Sequence, residues 1–146
     1  MAEATVSLVD GMQFVAETPS GHSLTIDAAA EAGGRNIGPR PMELLAAGIA
    51  GCTAMDVISI LRKMQQKVAG LKVRVNGEQA SEHPKRFTAI HIEYTITGYE
   101  LSQANVARAI ELSETKYCQA MASLRPGVPI TTSYAILEAA PQTVTK

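Results

Sequence analysis

The sequence has few aromatic residues, almost no net charge and few cysteines. Aromatic side chains make up 4% of the 146 residues, and tryptophan is absent. Thirteen basic and 14 acidic residues leave a net charge of −1. A chain without a cationic field or stacking rings is not expected to bind nucleic acid or an anionic membrane surface. Two cysteines are too few for a secreted disulfide scaffold, so we predict a cytoplasmic protein with reduced thiols.

Aliphatic residues dominate the composition instead. Hydrophobic residues make up 46% of the chain and charged residues 18%, and the mean hydropathy is +0.04. This balance is too apolar for a disordered chain. The length suits a single domain, which we place at residues 1–146. The apolar composition also leaves more apolar surface than a monomer of this size can easily bury.

The N-terminal third is predicted to be β-structure. Two β-rich runs, residues 5–9 and 12–16, flank an Asp10-Gly11 pair, which predicts a hairpin with a type I′ turn. A third strand is expected at residues 22–27, and a mobile loop at residues 32–40.

The most apolar segment of the chain is residues 44–61. Pro41 and Glu43 suit the first turn of a helix, and Gly70 is predicted to stop it. The segment is nearly long enough to cross a membrane, but Asp56 would be costly in lipid. Small residues along it favour close packing against protein, so we predict a buried central helix rather than a membrane span.

The rest of the chain alternates between strands and a second helix. Strands are predicted at residues 71–76, 87–97 and 130–137, with a bulge or register change near Ala89. Ser102 is a plausible N-cap for the second helix, near whose end Cys118 falls. A polar tail follows from Pro141. Strands and helices segregated in this order predict an α+β fold.

Common catalytic and metal-binding motifs are missing from the sequence. It contains no nucleotide-binding glycine loop, nucleophile elbow or zinc-protease motif. The three histidines, His22, His83 and His91, lack metal-ligand spacing. What remains is Cys52 and Cys118, which could both be small buried hydrophobic residues or could form a reactive pair.

The surroundings of the two cysteines differ in the predicted structure. Asp56 lies one helical turn after Cys52, and its like charge would oppose thiolate formation. A cation from the preceding loop, Arg35 or Arg40, would therefore be needed to activate Cys52. A helix C-terminus would disfavour a thiolate at Cys118. If either cysteine reacts, Cys52 is the expected attacker and Cys118 the expected resolving residue.

Residues 41–56, PMELLAAGIAGCTAMD, resemble the central-helix motif of the OsmC/Ohr superfamily. Lys116-Tyr117-Cys118, followed by Leu124 and a strand at residues 130–136, fits the same family, and the resemblance covers nearly the whole chain. It implies an OsmC-like α+β fold, with antiparallel sheets around a buried helix that carries the first cysteine. It also implies an intertwined homodimer with its active sites at the subunit interface.

The resemblance implies a thiol peroxidase that reduces organic hydroperoxides. Cys52 would be oxidised to a sulfenic acid and Cys118 would condense with it to a disulfide. An external dithiol, lipoyl-linked in one branch, would reduce that disulfide, and no metal or other cofactor would be required. The alternative is a ligand-binding or redox-sensing protein of the same fold with little turnover.

The chain departs from the family pattern at two positions. The well-studied branches have a glutamate ten residues before the first cysteine, where this chain has Met42, and a proline after the second, where it has Gln119. Glu43 could replace the missing carboxylate, although one residue is a rotation of ~100° on a helix. The structural alternatives are a helix-start acid at Glu43, a solvated Arg40, and a buried Asp56 paired with a base.

Overall fold

The computed structural model describes residues 1–141, which fall into two compact units. The first unit ends at Leu45 and the second begins at Ala46. The polar tail predicted from Pro141 lies, after that residue, outside the described part of the chain.

The first unit contains a three-stranded antiparallel sheet. Its strands are β1 (Thr5–Asp10), β2 (Gln13–Glu17) and β3 (Ser23–Ile26), in the order β1-β2-β3. The predicted hairpin is confirmed, but its turn lies one residue later than expected. Asp10 pairs with Gln13, so Gly11 and Met12 form the turn. Among the turn residues only Gly11 has a positive φ, at 55°, whereas a type I′ turn needs two such residues.

A buried carboxylate anchors the loop that composition predicts to be mobile. The Asp27 side chain accepts backbone N–H groups from Ala28 at 2.8 Å, Arg35 at 3.0 Å and Ile37 at 3.2 Å. Burial alone would raise the pKa of Asp27, but these hydrogen bonds lower it below its ordinary value. The loop is therefore held to the end of β3 through its backbone.

The long apolar helix, α1, runs over Pro41–Lys63. It begins at Pro41 as predicted, but Gly70 does not end it. Gln65 adopts a left-handed φ of 56°, the N–H of Gln66 donates to Leu61 at 2.9 Å, and that of Gln65 donates to Arg62 at 3.0 Å. These are the two hydrogen bonds of a Schellman motif, which stops the helix several residues earlier than Gly70.

The second unit contains a mixed three-stranded sheet. Its strands are β4 (Lys67–Gln79), β5 (Phe87–Tyr99) and β6 (Ile130–Glu138), in the order β4-β5-β6. β4 and β5 are antiparallel, whereas β5 and β6 are parallel. The prediction of antiparallel sheets is therefore wrong for the second pair. Helical segments carry the chain back to the end of the sheet at which β5 begins. Such a crossover places the next strand parallel to β5.

The predicted irregularity near Ala89 is confirmed. Glu78 pairs with Ala89 while Gln79 pairs with Phe87, which leaves Thr88 as the extra residue. Gly77 lies beneath the Phe87 ring, where a Cβ atom would collide with it. The bulge therefore occurs where a large side chain crosses the neighbouring strand.

The core of the second unit lies between one face of β5 and one face of α1. The alternation of β5 buries every second side chain. The buried residues of these two elements are Phe87, Ile90, Ile92, Tyr94, Ile96 and Gly98 on β5, and Ile49, Thr53, Val57 and Leu61 on α1. Two of them, Thr53 and Tyr94, carry hydroxyl groups into an otherwise aliphatic core.

Much of α1 remains exposed in the single chain. Its buried residues recur every fourth position and form one stripe, while Met55 is 73% exposed and Leu45 is 49% exposed. The burial on all sides that the sequence predicts is therefore not seen in one chain. The helix is long and apolar enough to span a membrane, with a mean hydropathy of 1.9, but core helices of soluble proteins meet the same criterion.

Candidate functional site

The two cysteines lie together in the second unit, although 65 residues separate them in the sequence. Cys52 is on α1, and Cys118 follows the second helix. Their sulfur atoms and a carboxylate oxygen of Asp56 all lie within 4.8 Å of one another. Both thiols are free; Cys52 is half-buried and Cys118 is 2% exposed. The two cysteines that sequence analysis selected as candidates therefore lie in one cluster, together with Asp56.

A change of helical geometry positions Cys118. Helix α2 (Gln103–Leu112) begins at the predicted N-cap, Ser102, and runs into a π-helical segment, Ser113–Tyr117. The N–H of Cys118 donates to the carbonyl oxygen of Ser113 at 2.9 Å, which closes the wider turn. Segments of this kind are uncommon and occur frequently at functional sites.

Cys118 is also the N-cap residue of a third helix, α3 (Gln119–Leu124). Sequence analysis places Cys118 near a helix end and misses the helix that begins directly after it. The electrostatic setting is therefore different from that of a simple C-terminus. Burial raises the pKa of Cys118 to about 11, the Met121 backbone N–H opposes that rise, and Cys52 and Asp56 add to it. Cys118 is thus a neutral thiol at physiological pH.

A chain of buried hydroxyl groups leads to Asp56. The Ser113 hydroxyl donates to Oδ2 of Asp56 at 3.0 Å. Ser113 and Thr53 are hydrogen-bonded at 2.8 Å, and Thr53 and Tyr94 at 2.7 Å. The Ser113 hydroxyl has one proton and donates it to the carboxylate, so in its hydrogen bond with Thr53 it must be the acceptor. Thr53 therefore donates to Ser113, and Tyr94 donates to Thr53. Every donor therefore points towards Asp56.

The innermost member of this chain is a tyrosine that stays protonated. Burial raises the pKa of Tyr94 to about 12; the hydrogen bond with Thr53 opposes this rise, and electrostatic interaction with the ionisable groups of Glu114, Cys118 and Asp56 adds to it. Tyr94 is 1% exposed, so its hydroxyl has no access to bulk water. It can act as a hydrogen-bond donor but not as a base.

Asp56 has no ion-pair partner among residues 1–141. The alternative in which a base neutralises this acid is therefore not observed. The hydroxyl group of Ser113 solvates the carboxylate instead.

The predicted accessory residues are all found in the first unit. Arg35 donates to Asp10 at 3.2 Å and to Gln13 at 2.8 Å. Glu43 accepts the backbone N–H of Arg40 at 2.9 Å and lies 3.9 Å from its guanidinium. Glu43 therefore acts as a helix-start acid, since it satisfies a donor at the beginning of α1. The catalytic roles of Arg35, Arg40 and Glu43 stay predictions.

A cavity of about 410 Å³ adjoins Asp56. Its volume is in the range of small-molecule sites. Its lining combines apolar side chains with both signs of charge: Asp56, Ser59, Ile60, Lys63, Met64, Leu112 and Tyr117. The cysteine cluster thus has a ligand-sized space next to its carboxylate.

Comparison with known proteins identifies the family of this chain. Residues 33–133 match the family described as OsmC-like protein. Protein YhfA of Escherichia coli strain K12 is 40% identical over 137 residues, which cover 94% of this chain and 99% of YhfA. The chain belongs to the OsmC-like protein family. The resemblance noted in the sequence is confirmed.

Solved structures confirm the OsmC-like α+β fold. A protein described as hypothetical, from Aquifex aeolicus VF5, is 28% identical, with a TM-score of 0.83 and coverage of 96% of this chain and 98% of that one. An organic hydroperoxide resistance protein, OsmC, from Legionella pneumophila is 23% identical, with a TM-score of 0.67 and coverage of 92% and 96%. At that lower identity the likeness shows the fold alone.

The thiol cluster of this OsmC-like chain also has the composition of a metal site. Thiolate sulfur and carboxylate oxygen are zinc ligands, and three such atoms here lie within 4.8 Å of one another. Cys52, Asp56 and Cys118 could therefore supply three ligands to one ion. That the protein needs no metal stays a prediction.

Sequence analysis missed three polar residues of the OsmC-like site: Thr53, Tyr94 and Ser113. Thr53 and Asp56 are spaced by three in an apolar helix and so share one face, which was an available signal. Tyr94 and Ser113 gave no comparable signal, because both fall on faces that the periodicity assigns to the core.

Proposed function

We propose that this OsmC-like protein is a cytoplasmic, cysteine-based peroxidase that reduces organic hydroperoxides. The observation that carries the proposal is the closeness of the Cys52 and Cys118 sulfur atoms, within 4.8 Å. A half-buried thiol beside a fully buried one suits an attacking and a resolving pair. The name of the Legionella pneumophila protein, which shares the fold, supports the choice of hydroperoxides as substrates.

The first step oxidises Cys52. Its thiolate attacks the terminal oxygen of the hydroperoxide, so that an S–O bond forms as the O–O bond breaks. The substrate is reduced and leaves as an alcohol after taking a proton, and Cys52 becomes a sulfenic acid. The resemblance implies an activating arginine, which Arg35 or Arg40 could supply, and Glu43 could replace the supporting carboxylate that is missing at Met42.

The second step joins the two cysteines. The Cys118 sulfur attacks the Cys52 sulfenic sulfur, the S–O bond breaks, and one water molecule leaves. An external dithiol, of which lipoyl groups are one class, then reduces the disulfide through a mixed disulfide. The cycle needs no resident cofactor.

Stoichiometric oxidation tests the proposal directly. One equivalent of cumene hydroperoxide is expected to convert the free thiols into a Cys52–Cys118 disulfide, detected by peptide mapping. The Cys118→Ala variant is the matched control, because it should stop at a Cys52 sulfenic acid that dimedone traps. Two free thiols in the treated wild-type protein would contradict the proposed function.

We further propose that the protein is a homodimer that covers the exposed side of α1. A groove of about 360 Å³ runs along that side, where Ala54, Met55 and Ile58 face Leu71. Met55 is 73% exposed in the single chain, and a large exposed apolar surface commonly marks a protein interface. A second copy would also complete the burial that the composition of α1 predicts.

Light scattering is expected to give a mass twice the 15.5 kDa of one chain. Met55→Asp would place an unpaired charge in the interface and should weaken the dimer at least about tenfold in Kd. Ser81→Asp, in the exposed turn between β4 and β5, adds the same charge elsewhere and should leave the mass unchanged. A wild-type mass of one chain would rule out the dimer.

A second candidate function is ligand binding or redox sensing with little turnover. The cavity of about 410 Å³ beside Asp56 favours it, because the cavity exists without any redox step. Native mass spectrometry distinguishes the two functions. A retained apolar ligand, together with hydroperoxide consumption no faster than that of Cys52→Ser, would favour binding.

A further inference from the structure

The second step of the proposed peroxidase cycle requires a proton to move from the buried thiol of Cys118 to the oxygen on the half-buried Cys52. Cys118 begins as a thiol, and the oxygen that leaves Cys52 must depart as water. Bulk water does not reach the Cys118 thiol, which is 2% exposed. Asp56 is the one carboxylate within 4.8 Å of both sulfur atoms in the described chain.

We propose that Asp56 is the acid–base residue of disulfide formation, moving the Cys118 proton to the oxygen that leaves Cys52. The proposal rests on the proposed peroxidase function for the origin of the sulfenic acid. The proposal gives a chemical role to Asp56, which in the sequence is recognisable only as a charged residue within an apolar helix.

The step balances without a further reactant. The Cys118 sulfur supplies the electron pair of the new S–S bond and gives its proton to an Asp56 carboxylate oxygen. The Cys52 S–O bond breaks, and the leaving oxygen takes that proton and departs as water. Cys118 is oxidised, the Cys52 sulfenic sulfur is reduced, and Asp56 ends the step as it began, as a carboxylate.

Hydrogen bonding orients the Asp56 carboxylate for this transfer. One oxygen, Oδ2, accepts the Ser113 hydroxyl at 3.0 Å. A carboxylate has two oxygens with several acceptor sites, so this bond leaves capacity for the thiol proton. Ser113 in turn is fixed by Thr53 at 2.8 Å. Because Thr53 and Ser113 are fully buried, the hydrogen bond between them is protected from water and fixes the Ser113 hydroxyl that orients the carboxylate, which makes Ser113 a positioning residue.

The same carboxylate disfavours a preformed thiolate. Burial is the largest cause of the raised pKa of Cys118, and the charge of Asp56 adds to it. If Asp56 acted only through its charge, its removal would make Cys118 a better nucleophile and speed disulfide formation. If Asp56 accepts the proton during attack, its removal slows the step. The two roles therefore predict opposite signs.

Other titratable groups surround Asp56 and must be separated from it in any pH profile. Cys52 and Lys63 are on α1, Tyr94 is on β5, and Glu114 and Tyr117 are on the π-helical segment. Tyr94 and Cys118 stay protonated over the neutral range. A substitution at Asp56 that preserves shape is therefore more informative than a pH change alone.

The test compares wild-type full-length protein with Asp56→Asn in a rapid-quench experiment at one equivalent of cumene hydroperoxide. Asn keeps the size of the side chain and an oxygen that can accept from Ser113. We expect sulfenic acid to form at a similar rate, and disulfide formation to slow by about 10²-fold or more, the usual size of general acid–base catalysis. The variant should then depend on preformed Cys118 thiolate, so its rate should rise about tenfold per pH unit below the pKa of Cys118.

Glu111→Gln is the matched control, since Glu111 is an exposed carboxylate on α2 that pairs with Arg108 at 2.8 Å. It should leave both rates unchanged. Ser113→Ala keeps the Asp56 carboxylate but releases its orientation, and we expect a smaller slowing together with a steeper pH profile. That variant carries the test if Asp56→Asn does not fold. Disulfide formation in Asp56→Asn at or above the wild-type rate would overturn the proposal.

A second measurement does not depend on hydroperoxide. Ellman's reagent should label the half-buried Cys52 first, which forms a mixed disulfide and releases one thionitrobenzoate. Attack by Cys118 on that mixed disulfide then releases a second thionitrobenzoate, and the second phase of absorbance records its rate. Asp56→Asn should slow this release, because the proton of Cys118 still has to leave. A wild-type protein inert to hydroperoxide but sensitive to Asp56→Asn here would refute the peroxidase function and retain the role of Asp56. Equal release rates in both proteins would refute the role itself.

Discussion

Cys52→Ser is expected to lower the rate of hydroperoxide consumption by about 10³-fold or more, measured with cumene hydroperoxide and excess dithiol. Serine keeps the approximate size of the side chain but replaces the sulfur nucleophile with a hydroxyl group, which is a far weaker nucleophile. In the proposed cycle no other group can attack the peroxide, because Cys118 is a buried thiol whose pKa is raised to about 11.

Cys118→Ser is the informative companion to this variant. It should consume one equivalent of hydroperoxide in a fast first turnover, since Cys52 is intact, and then slow because no internal thiol resolves the sulfenic acid. The pair of variants therefore separates attack from resolution. Equal steady-state rates in wild type and Cys52→Ser would remove the basis for a cysteine peroxidase, whereas loss of the burst in Cys118→Ser alone would reverse the two roles.

Local patterns predicted the elements that bear the site. Pro41 and the apolar run after it predicted where α1 begins, and Ser102 predicted the start of α2. These signals depend on a few neighbouring residues, because helix starts are set by unpaired N–H groups and by residues of fixed φ. The family resemblance rested on the same helix, and the comparisons confirmed it.

Features without a recognisable local sequence signal were not predicted. The parallel pairing of β6 with β5 follows from the path of α2 and α3 rather than from any pattern within β6. The early end of α1 depends on a left-handed Gln65, a conformation for which glycine is the usual signal. The π-helical segment has no sequence signature, yet it sets the direction in which Cys118 points.

The candidate site was half predictable for the same reason. The two cysteines were found by elimination, because few other reactive residues exist in the chain. Asp56 lies one helical turn after Cys52, but the closeness of Cys118 to both depends on the packing of α1 against the segment before Cys118, which no local pattern encodes. The hydroxyl chain was invisible because threonine, serine and tyrosine suit core-facing positions as readily as surface ones. The contribution of this hydroxyl chain to the free energy of unfolding is therefore an expectation that comes from the structure alone.

Thr53→Val is expected to lower the free energy of unfolding by about 2–4 kcal/mol, the cost of leaving buried hydroxyl groups without partners. Valine matches threonine in shape, so the change removes one hydroxyl and creates no cavity. The Tyr94 hydroxyl loses its acceptor at 2.7 Å, and Ser113 loses its donor at 2.8 Å. Urea denaturation at fixed protein concentration should show a lower midpoint with an unchanged slope.

Two further variants identify the orphaned hydroxyl as the cause. Thr95→Val makes the same change on the half-buried face of β5, at a hydroxyl that makes no side-chain hydrogen bond within residues 1–141, and should alter stability by no more than about 0.5 kcal/mol. Adding Tyr94→Phe to Thr53→Val should recover part of the loss, because it removes the unpaired group rather than a contact. If the double variant is less stable than Thr53→Val by the full cost of Tyr94→Phe alone, the two hydroxyls are energetically independent and the chain to Asp56 is not a coupled unit.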